Sequence, residues 1–137
     1  MSRVFIDTNV LLDWLIPTNS FHAEASAFVR VCFEGRAEGY ISAHSLTDIF
    51  YISRKYFSVE DRRQFLLLIL SNFTVVTESS GDFLNVLNEE GFFDLEDGMQ
   101  MRCAEKEKVD FIVSENLKDF RSSAVPAVNI AAALQMI

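Results

Sequence analysis

The sequence predicts a single α/β domain over residues 1–137, in which helices cover both faces of a parallel sheet. Short apolar runs typical of buried strands alternate with longer segments whose apolar residues recur at helical spacing. Half of the 137 residues are hydrophobic, which is enough to fill one core. Because the chain has only five Gly and two Pro, we expect short connections and abundant regular structure.

Five segments have the composition of strands, at residues 4–6, 40–41, 73–76, 111–113 and 127–128. The run Phe-Ile-Val at 111–113 is apolar throughout, and we expect it to lie at the centre of the sheet. Predicted helices fill the intervals, at residues 10–15, 19–32, 42–56, 58–70, 79–91, 95–108 and from 131 onward.

One helical segment, residues 65–70, is apolar around its whole circumference. Such a helix is either fully buried or part of an interface, and we expect a homodimer. The same run is the longest fully apolar one, and it is far shorter than the roughly 20 residues that a membrane span needs. Residues 1–3 lead directly into a strand rather than a signal peptide, so a cytoplasmic protein is expected.

Composition excludes several other classes of protein. The formal charge of −8 argues against a protein that coats nucleic acid with a basic surface, so any such function must come from a local site. The two cysteines, Cys32 and Cys103, stand alone in apolar helical patterns, where buried free thiols are the ordinary case. The two Cys and two His show no zinc-ligand spacing along the chain.

Acidic and amide side chains follow the predicted strand ends, where parallel sheets bind their ligands. Asp7 ends the first strand, Asp48 lies on the helix after the second, and Asp97 lies in the first turn of a later helix. Asn116 and Asp119 follow the strand at 111–113. A cluster of carboxylates repels itself unless it holds a cation, and oxygen ligands favour Mg²⁺ or Mn²⁺.

Each acid also has an ordinary structural explanation. Asp7 can cap the helix that follows it, and Asp48 stands at capping-box spacing from Ser45. Asp48 also shares a polar stripe with His44, which a solvated helix face explains equally well. Asp94 is expected to cap the helix that contains Asp97.

Three blocks of the sequence together resemble the PIN domain family of small metal-dependent ribonucleases. They are VFIDTNVLLDWL at residues 4–15, YISAHSLTDIFYI at 40–52 and DLEDGMQMRCAEKEKVDFIVSENLKDF at 94–120. The resemblance implies a three-layer α/β/α sandwich around a doubly wound parallel sheet, and an acidic crevice that binds Mg²⁺ or Mn²⁺. It also implies cleavage of single-stranded RNA by metal-activated water, and a toxin that pairs with an antitoxin protein.

The resemblance assigns the three catalytic and metal-binding acids to Asp7, Asp48 and Asp97. Three residues depart from the family pattern: Gly98 replaces Ala, Ser114 replaces Thr, and Asn116 replaces a fourth Asp. We expect Asn116 to point into the site, with Asp119 supporting it. The expected substrate contacts are Thr8, Asn9, Ser114, Arg54, Lys55, Arg62 and Arg63, together with Lys118 and Arg121 beside Asp119.

Two alternative functions remain open at this point. A PIN-like domain that only binds a partner, and cleaves weakly or not at all, is compatible with Gly98 and Asn116. A receiver-like phosphotransfer domain shares the topology, although the sequence lacks paired acids near Asp7. A phosphatase that needs Asp-x-Asp after its first strand is disfavoured, because the third residue of that motif is Asn9.

Overall fold

Five strands form one all-parallel sheet in the computed structural model, which describes residues 1–137. The strands are β1 (Ser2–Ile6), β2 (Ala37–Ser42), β3 (Thr74–Val76), β4 (Phe111–Val113) and β5 (Ala127–Val128). Their spatial order is β3-β2-β1-β4-β5, and all four pairings are parallel. The predicted α/β fold with a parallel sheet is confirmed.

Seven helices connect and cover the strands. They are α1 (Thr8–Leu15), α2 (His22–Phe33), α3 (Ala43–Ile52), α4 (Val59–Asn72), α5 (Ser80–Leu87), α6 (Leu95–Lys106) and α7 (Ile130–Met136). The helix predicted over 42–56 ends earlier, because a 3₁₀ turn at Ser53–Lys55 replaces its last turn. The longest helix, α4, has 14 residues, and no helix is both long and apolar enough to cross a membrane.

The apolar core lies on both faces of the sheet, which is why the residues in the middle of the sheet are apolar on both sides of their strand. Val4 and Ile6 of β1 pack into one cluster, and Phe5 between them packs into the other. Cys32 lies in the first cluster and Cys103 in the second, and both are buried free thiols as expected. The result is three layers, helix on sheet on helix.

The strand order reverses direction beside β1, and this reversal determines where the site lies. From β1 the chain moves outward to β2 and β3, and it then returns to add β4 and β5 on the other side of β1. The middle strand is β1, and β4 is paired on both sides, with β1 and β5, so Phe111–Val113 is an interior strand as predicted. A crevice opens where the carboxyl ends of β1 and β4 meet, a usual ligand position in such sheets.

The apolar segment of α4 is neither fully buried nor fully exposed. Ile69 is wholly buried, whereas Leu67, Leu68 and Leu70 are 52%, 42% and 51% exposed. The expected homodimer therefore stays a prediction, and these three leucines are the side chains that it would cover.

Candidate active site

Asp7 lies at the carboxyl end of β1 and only 3% of the residue is exposed. Its Oδ2 accepts a hydrogen bond from Ser114 Oγ at 2.7 Å, and its Oδ1 accepts one from Gln100 Nε2 at 3.0 Å. The backbone N–H of Asn9 also donates to Oδ1, at 3.4 Å, so Asp7 caps α1. Burial raises the pKa of Asp7, and the hydrogen bonds from Gln100 and Ser114 oppose that rise.

The Gln100 side chain is fully buried and links two acidic residues. Its Nε2 donates to Asp7 and also to Glu96 Oε2, at 2.9 Å, while its Oε1 accepts the backbone N–H of Thr8 at 3.1 Å. The amide thereby joins the first turns of α6 to the start of α1.

Thr8 and Ser114 are buried, and their hydroxyls contact protein groups only. Thr8 Oγ1 lies 2.6 Å from Ser45 Oγ and donates to Gln100 Oε1 at 3.3 Å. Ser114 Oγ donates to Asp7 and accepts the backbone N–H of Asn116. The expected substrate contacts of Thr8 and Ser114 do not fit this burial, since both side chains hold Asp7 and α1 in place. Asn9 is exposed at the start of α1.

Asp97 lies in the first turn of α6, which Asp94 caps by accepting the Asp97 backbone N–H at 2.9 Å. Desolvation, together with the charges of Asp94, Asp119, Glu96 and Asp7, raises the pKa of Asp97 to about 7. Asp7 and Asp97 are therefore brought together as expected, and the carboxylates around them repel one another strongly.

Asp48 belongs to an adjoining group with His44 and Glu96. One ligand atom from each of these residues lies within 4.8 Å of the other two. Desolvation raises the pKa of Asp48, His44 opposes the rise, and the charge of Glu96 adds to it. The capping-box explanation does not hold, because the Ser45 hydroxyl contacts Ser42 and Thr8 instead.

Asp119 and Asn116, which were both expected to reach the crevice, line two different pockets. Asp119 lines the same groove as Asp97 and raises its pKa. Asn116 lines a separate pocket of about 390 Å³ with Asn9 and Asp13. The expected turn does form, because the Asn116 carbonyl oxygen accepts the Asp119 backbone N–H at 3.0 Å. Asn116 itself precedes the 3₁₀ turn Leu117–Phe120 with the non-helical angles φ −111° and ψ 60°, and its side chain lies in a different pocket from that of Asp119.

A groove of about 530 Å³ extends from Asp97 and Asp119. Two aromatic side chains and two cations contribute to its wall: Phe92, Phe93, Lys118 and Arg121. Phe93 is 94% exposed, although it is a large apolar residue. The groove therefore combines an uncovered aromatic ring with positive charge, directly beside the carboxylates.

The other predicted cations lie after α3 or in the first turns of α4. The nearest in sequence to a site acid is Arg54, six residues or roughly 9 Å along the helix axis beyond Asp48. Two guanidinium groups stack on rings of α3, Arg54 at 3.7 Å from the centroid of Tyr51 and Arg62 at 4.4 Å from that of Phe50. The full set is Arg54, Lys55, Arg62 and Arg63.

Sequence reasoning missed three residues of this region: Glu78, Glu96 and Gln100. Glu78 follows β3 by two residues, so the strand-end rule that selected Asp7 applies to it as well. Glu96 and Gln100 are four apart on α6, which places them on one face of the helix beside Asp97. No local motif marks Gln100, because its partners on the other side of the site, Asp7 and Thr8, are more than ninety residues away in the chain.

The donor groups fit a divalent cation. Asp7, Asp97 and Asp119 offer carboxylate oxygens whose mutual repulsion a cation would relieve. The adjoining group offers two further carboxylates and the Nε2 atom of His44, which is buried and has no hydrogen-bond partner.

An all-parallel sheet with acidic side chains at the carboxyl ends of its strands is typical of α/β proteins that bind ligands at that edge. The sequence profile of the PIN domain matches residues 3–118, and the chain belongs to this family. Family membership confirms the resemblance seen in the sequence and removes the receiver-like alternative. No curated protein is significantly similar in sequence.

Solved structures of similar fold include a toxin–antitoxin complex and an RNA-loop cleaving toxin. A toxin–antitoxin complex from Klebsiella pneumoniae is 22% identical, with 93% of this chain and 97% of that chain covered and a TM-score of 0.66. VapBC2 from Rickettsia felis, bound to promoter DNA, is 17% identical, with 93% and 98% covered and a TM-score of 0.66. VapC20 of Mycobacterium tuberculosis, a sarcin-ricin loop cleaving toxin, is 10% identical, with 80% and 86% covered and a TM-score of 0.65. At these identities the similarity establishes the fold.

Proposed function

We propose that this protein is a divalent-metal-dependent endoribonuclease that cleaves single-stranded RNA. The observation that supports this most is the pair Asp7 and Asp97 at the place where the strand order of a PIN domain reverses: burial raises the pKa of Asp7, and the charge of Asp7 contributes to the raised pKa of Asp97. One protein of the same fold, VapC20, is a toxin that cleaves the sarcin-ricin loop.

The acidic residues would hold the cation, Mg²⁺ or Mn²⁺, between α6 and the carboxyl end of β1. Asp7, Asp97 and Asp119 are the nearest donors, and Asp48 approaches from α3. When bound, the cation would lower the pKa of a coordinated water and offset charge on the leaving oxygen. Ser114 and Gln100 occupy one oxygen of Asp7 each, so they fix the orientation of this carboxylate before any ligand arrives.

The substrate strand would lie in the groove beside Asp97 and Asp119. Lys118 and Arg121 supply positive charge for phosphates there, which the chain as a whole, at −8, does not. The exposed ring of Phe93 offers a surface on which an unpaired base can stack. Stacking needs unpaired bases, and this favours single-stranded RNA over a duplex.

The biological role that we propose is the toxin of a toxin–antitoxin pair. Apolar side chains on α4 and α5 remain exposed, among them Leu67 at 52%, Leu84 at 59% and Leu87 at 51%. Exposed apolar residues on neighbouring elements are typical of surfaces that a protein partner covers. We assign them to a homodimer partner and an antitoxin together.

The test is a cleavage assay on a single-stranded RNA of mixed sequence. Cleavage is expected with Mg²⁺ or Mn²⁺ and should stop when EDTA is added. A duplex of the same sequence is the control, and it should be cut much more slowly. Cleavage that continues in EDTA would contradict the metal requirement. Binding of the RNA without cleavage under any metal would support the alternative, a PIN domain that only binds.

A further inference from the structure

Glu78 fixes the orientation of the His44 ring. One carboxylate oxygen accepts the backbone N–H of His44 at 2.7 Å, and the other lies 2.7 Å from Nδ1. The Glu78 side chain is only 5% exposed, so water competes little for these bonds. A carboxylate that accepts from Nδ1 holds a proton on that nitrogen and directs Nε2 toward the other side of the ring. Although burial opposes it, Glu96 and Glu78 raise the pKa of His44 to about 9, so a cation that binds Nε2 must displace a proton from it.

The Nε2 atom of His44 lies beside two more carboxylates, and it is within ion-pair distance of one of them, Glu96. It is buried and has no hydrogen-bond partner, and Glu96 Oε2 lies 3.5 Å away. One oxygen of Asp48 completes a set of three donors that are within 4.8 Å of one another. A cation about 2.1 Å from each ligand needs donors about 4 Å apart or closer, so a small inward movement closes the set.

We propose that His44, Asp48 and Glu96 form a second metal position that takes a transition-metal dication, Mn²⁺ or Zn²⁺, in preference to Mg²⁺. Imidazole nitrogen is a good ligand for transition metals, whereas Mg²⁺ favours oxygen ligands and water. The carboxylate–histidine–metal arrangement needs an outer acid on Nδ1, and Glu78 supplies it. From the sequence we expected oxygen ligands alone. This position could not be seen there, because its ligands come from two helices that are distant in the chain, α3 and α6.

Glu96 connects this position to the Asp7 and Asp97 group. The Gln100 amide donates to Glu96 and Asp7 with the same nitrogen, so the two groups share one buried link. The inference extends the proposed function by naming a metal class, but it rests on binding and not on cleavage. A protein that cuts no RNA and still binds Zn²⁺ through His44 would contradict the proposed function alone.

Histidine-labelled protein offers a direct test because the chain has only two histidines. His22, whose Nδ1 lies 2.9 Å from the backbone oxygen of Asp13, is the internal control. Adding one equivalent of Zn²⁺ to the wild-type chain should shift the ¹⁵Nε2 resonance of His44 and leave that of His22 in place. Mg²⁺ at the same concentration should move neither. If Zn²⁺ leaves the His44 resonance unchanged, the proposal is overturned.

Matched variants test the same position by affinity. In calorimetry the variant His44→Gln should bind Mn²⁺ at the second position at least tenfold more weakly, and its Mg²⁺ affinity should change less than twofold. His22→Gln should bind both ions like the wild type. Glu78→Gln keeps the imidazole but weakens its anchor, so it should lose part of the Mn²⁺ preference. Equal losses for Mn²⁺ and Mg²⁺ in His44→Gln would overturn the proposal. If that variant does not fold, the wild-type resonances still decide.

Discussion

The variant Asp97→Asn should stabilise the protein in buffer without divalent cations. Burial and four neighbouring carboxylates raise the pKa of Asp97 from 3.8 to about 7. A pKa that is about 3 above its ordinary value corresponds to a ceiling of ~4 kcal/mol of unfavourable charge interaction above neutral pH. Asp97 is only half-buried, so solvent screening reduces this to about 1–2 kcal/mol. For a domain of this size the melting temperature should rise by about 3–6 °C.

The pH dependence of this effect has a definite sign. The folded-state pKa of about 7 is higher than the ordinary value of 3.8, so the folded chain keeps a proton that the unfolded chain has already lost. The stability of the wild type therefore falls as the pH rises from about 4 to about 7, and it is level above that. Asp97→Asn lacks this loss, so its advantage should be largest at pH 8 and absent near pH 4.

The assay is thermal unfolding in EDTA at pH 8 and pH 4, with Asp61→Asn as the control. Both variants remove one negative charge from a chain at −8, but Asp61 is exposed in the first turn of α4 and far along the chain from the acidic crevice. The backbone N–H at position 97 still donates to the Asp94 side chain in the variant, so the helix cap is unchanged. Equal gains for Asp97→Asn and Asp61→Asn at pH 8 would refute the carboxylate cluster.

Three further predictions concern other parts of the molecule. Asp82→Ala should lower the free energy of unfolding by about 3 kcal/mol, because it removes the buried carboxylate that pairs with two cations of α6. The pKa of Asp82 is held below its usual value, so the stability of the wild type should fall as the pH drops below about 4. Gly98→Ala should destabilise α6 in urea unfolding by about 1 kcal/mol, because the new Cβ would lie 2.6 Å from Val86 Cγ1, and adding Val86→Ala should restore stability. Phe93→Ala should weaken binding of a single-stranded oligoribonucleotide by about 5-fold or more in fluorescence anisotropy, whereas Phe83→Ala on α5 should not.

The secondary structure could be predicted from the sequence because periodicity reports burial directly. A strand buried on both faces is apolar at every position, and β4, which is fully buried, was predicted with its observed bounds. The half-buried β5 was also predicted with its observed bounds. The same signal identifies interior strands but cannot give their order, since β1 and β4 are both covered by helices on two sides.

The candidate site was predictable where its residues follow strand ends and not where distant elements meet. Asp7 was predicted because it follows the end of β1, whereas Asp97, in the first turn of α6, was assigned through the resemblance to the PIN domain. Gln100 and Glu78 were missed because their contacts depend on how α6 and β3 pack beside α1 and α3. Gly98 departs from the Ala of the family pattern, and the structure gives a reason: its missing side chain makes room for Val86.

The central claim is that Asp7 and Asp97 hold the metal that cleaves RNA. The most direct measurement is the single-turnover rate on one single-stranded RNA in Mn²⁺, for the wild type, Asp7→Asn, Asp97→Asn and Asp61→Asn. The account predicts that the first two variants lose cleavage by at least about a hundredfold while they remain folded, and that Asp61→Asn cleaves like the wild type. Wild-type rates in either Asp7→Asn or Asp97→Asn would contradict it.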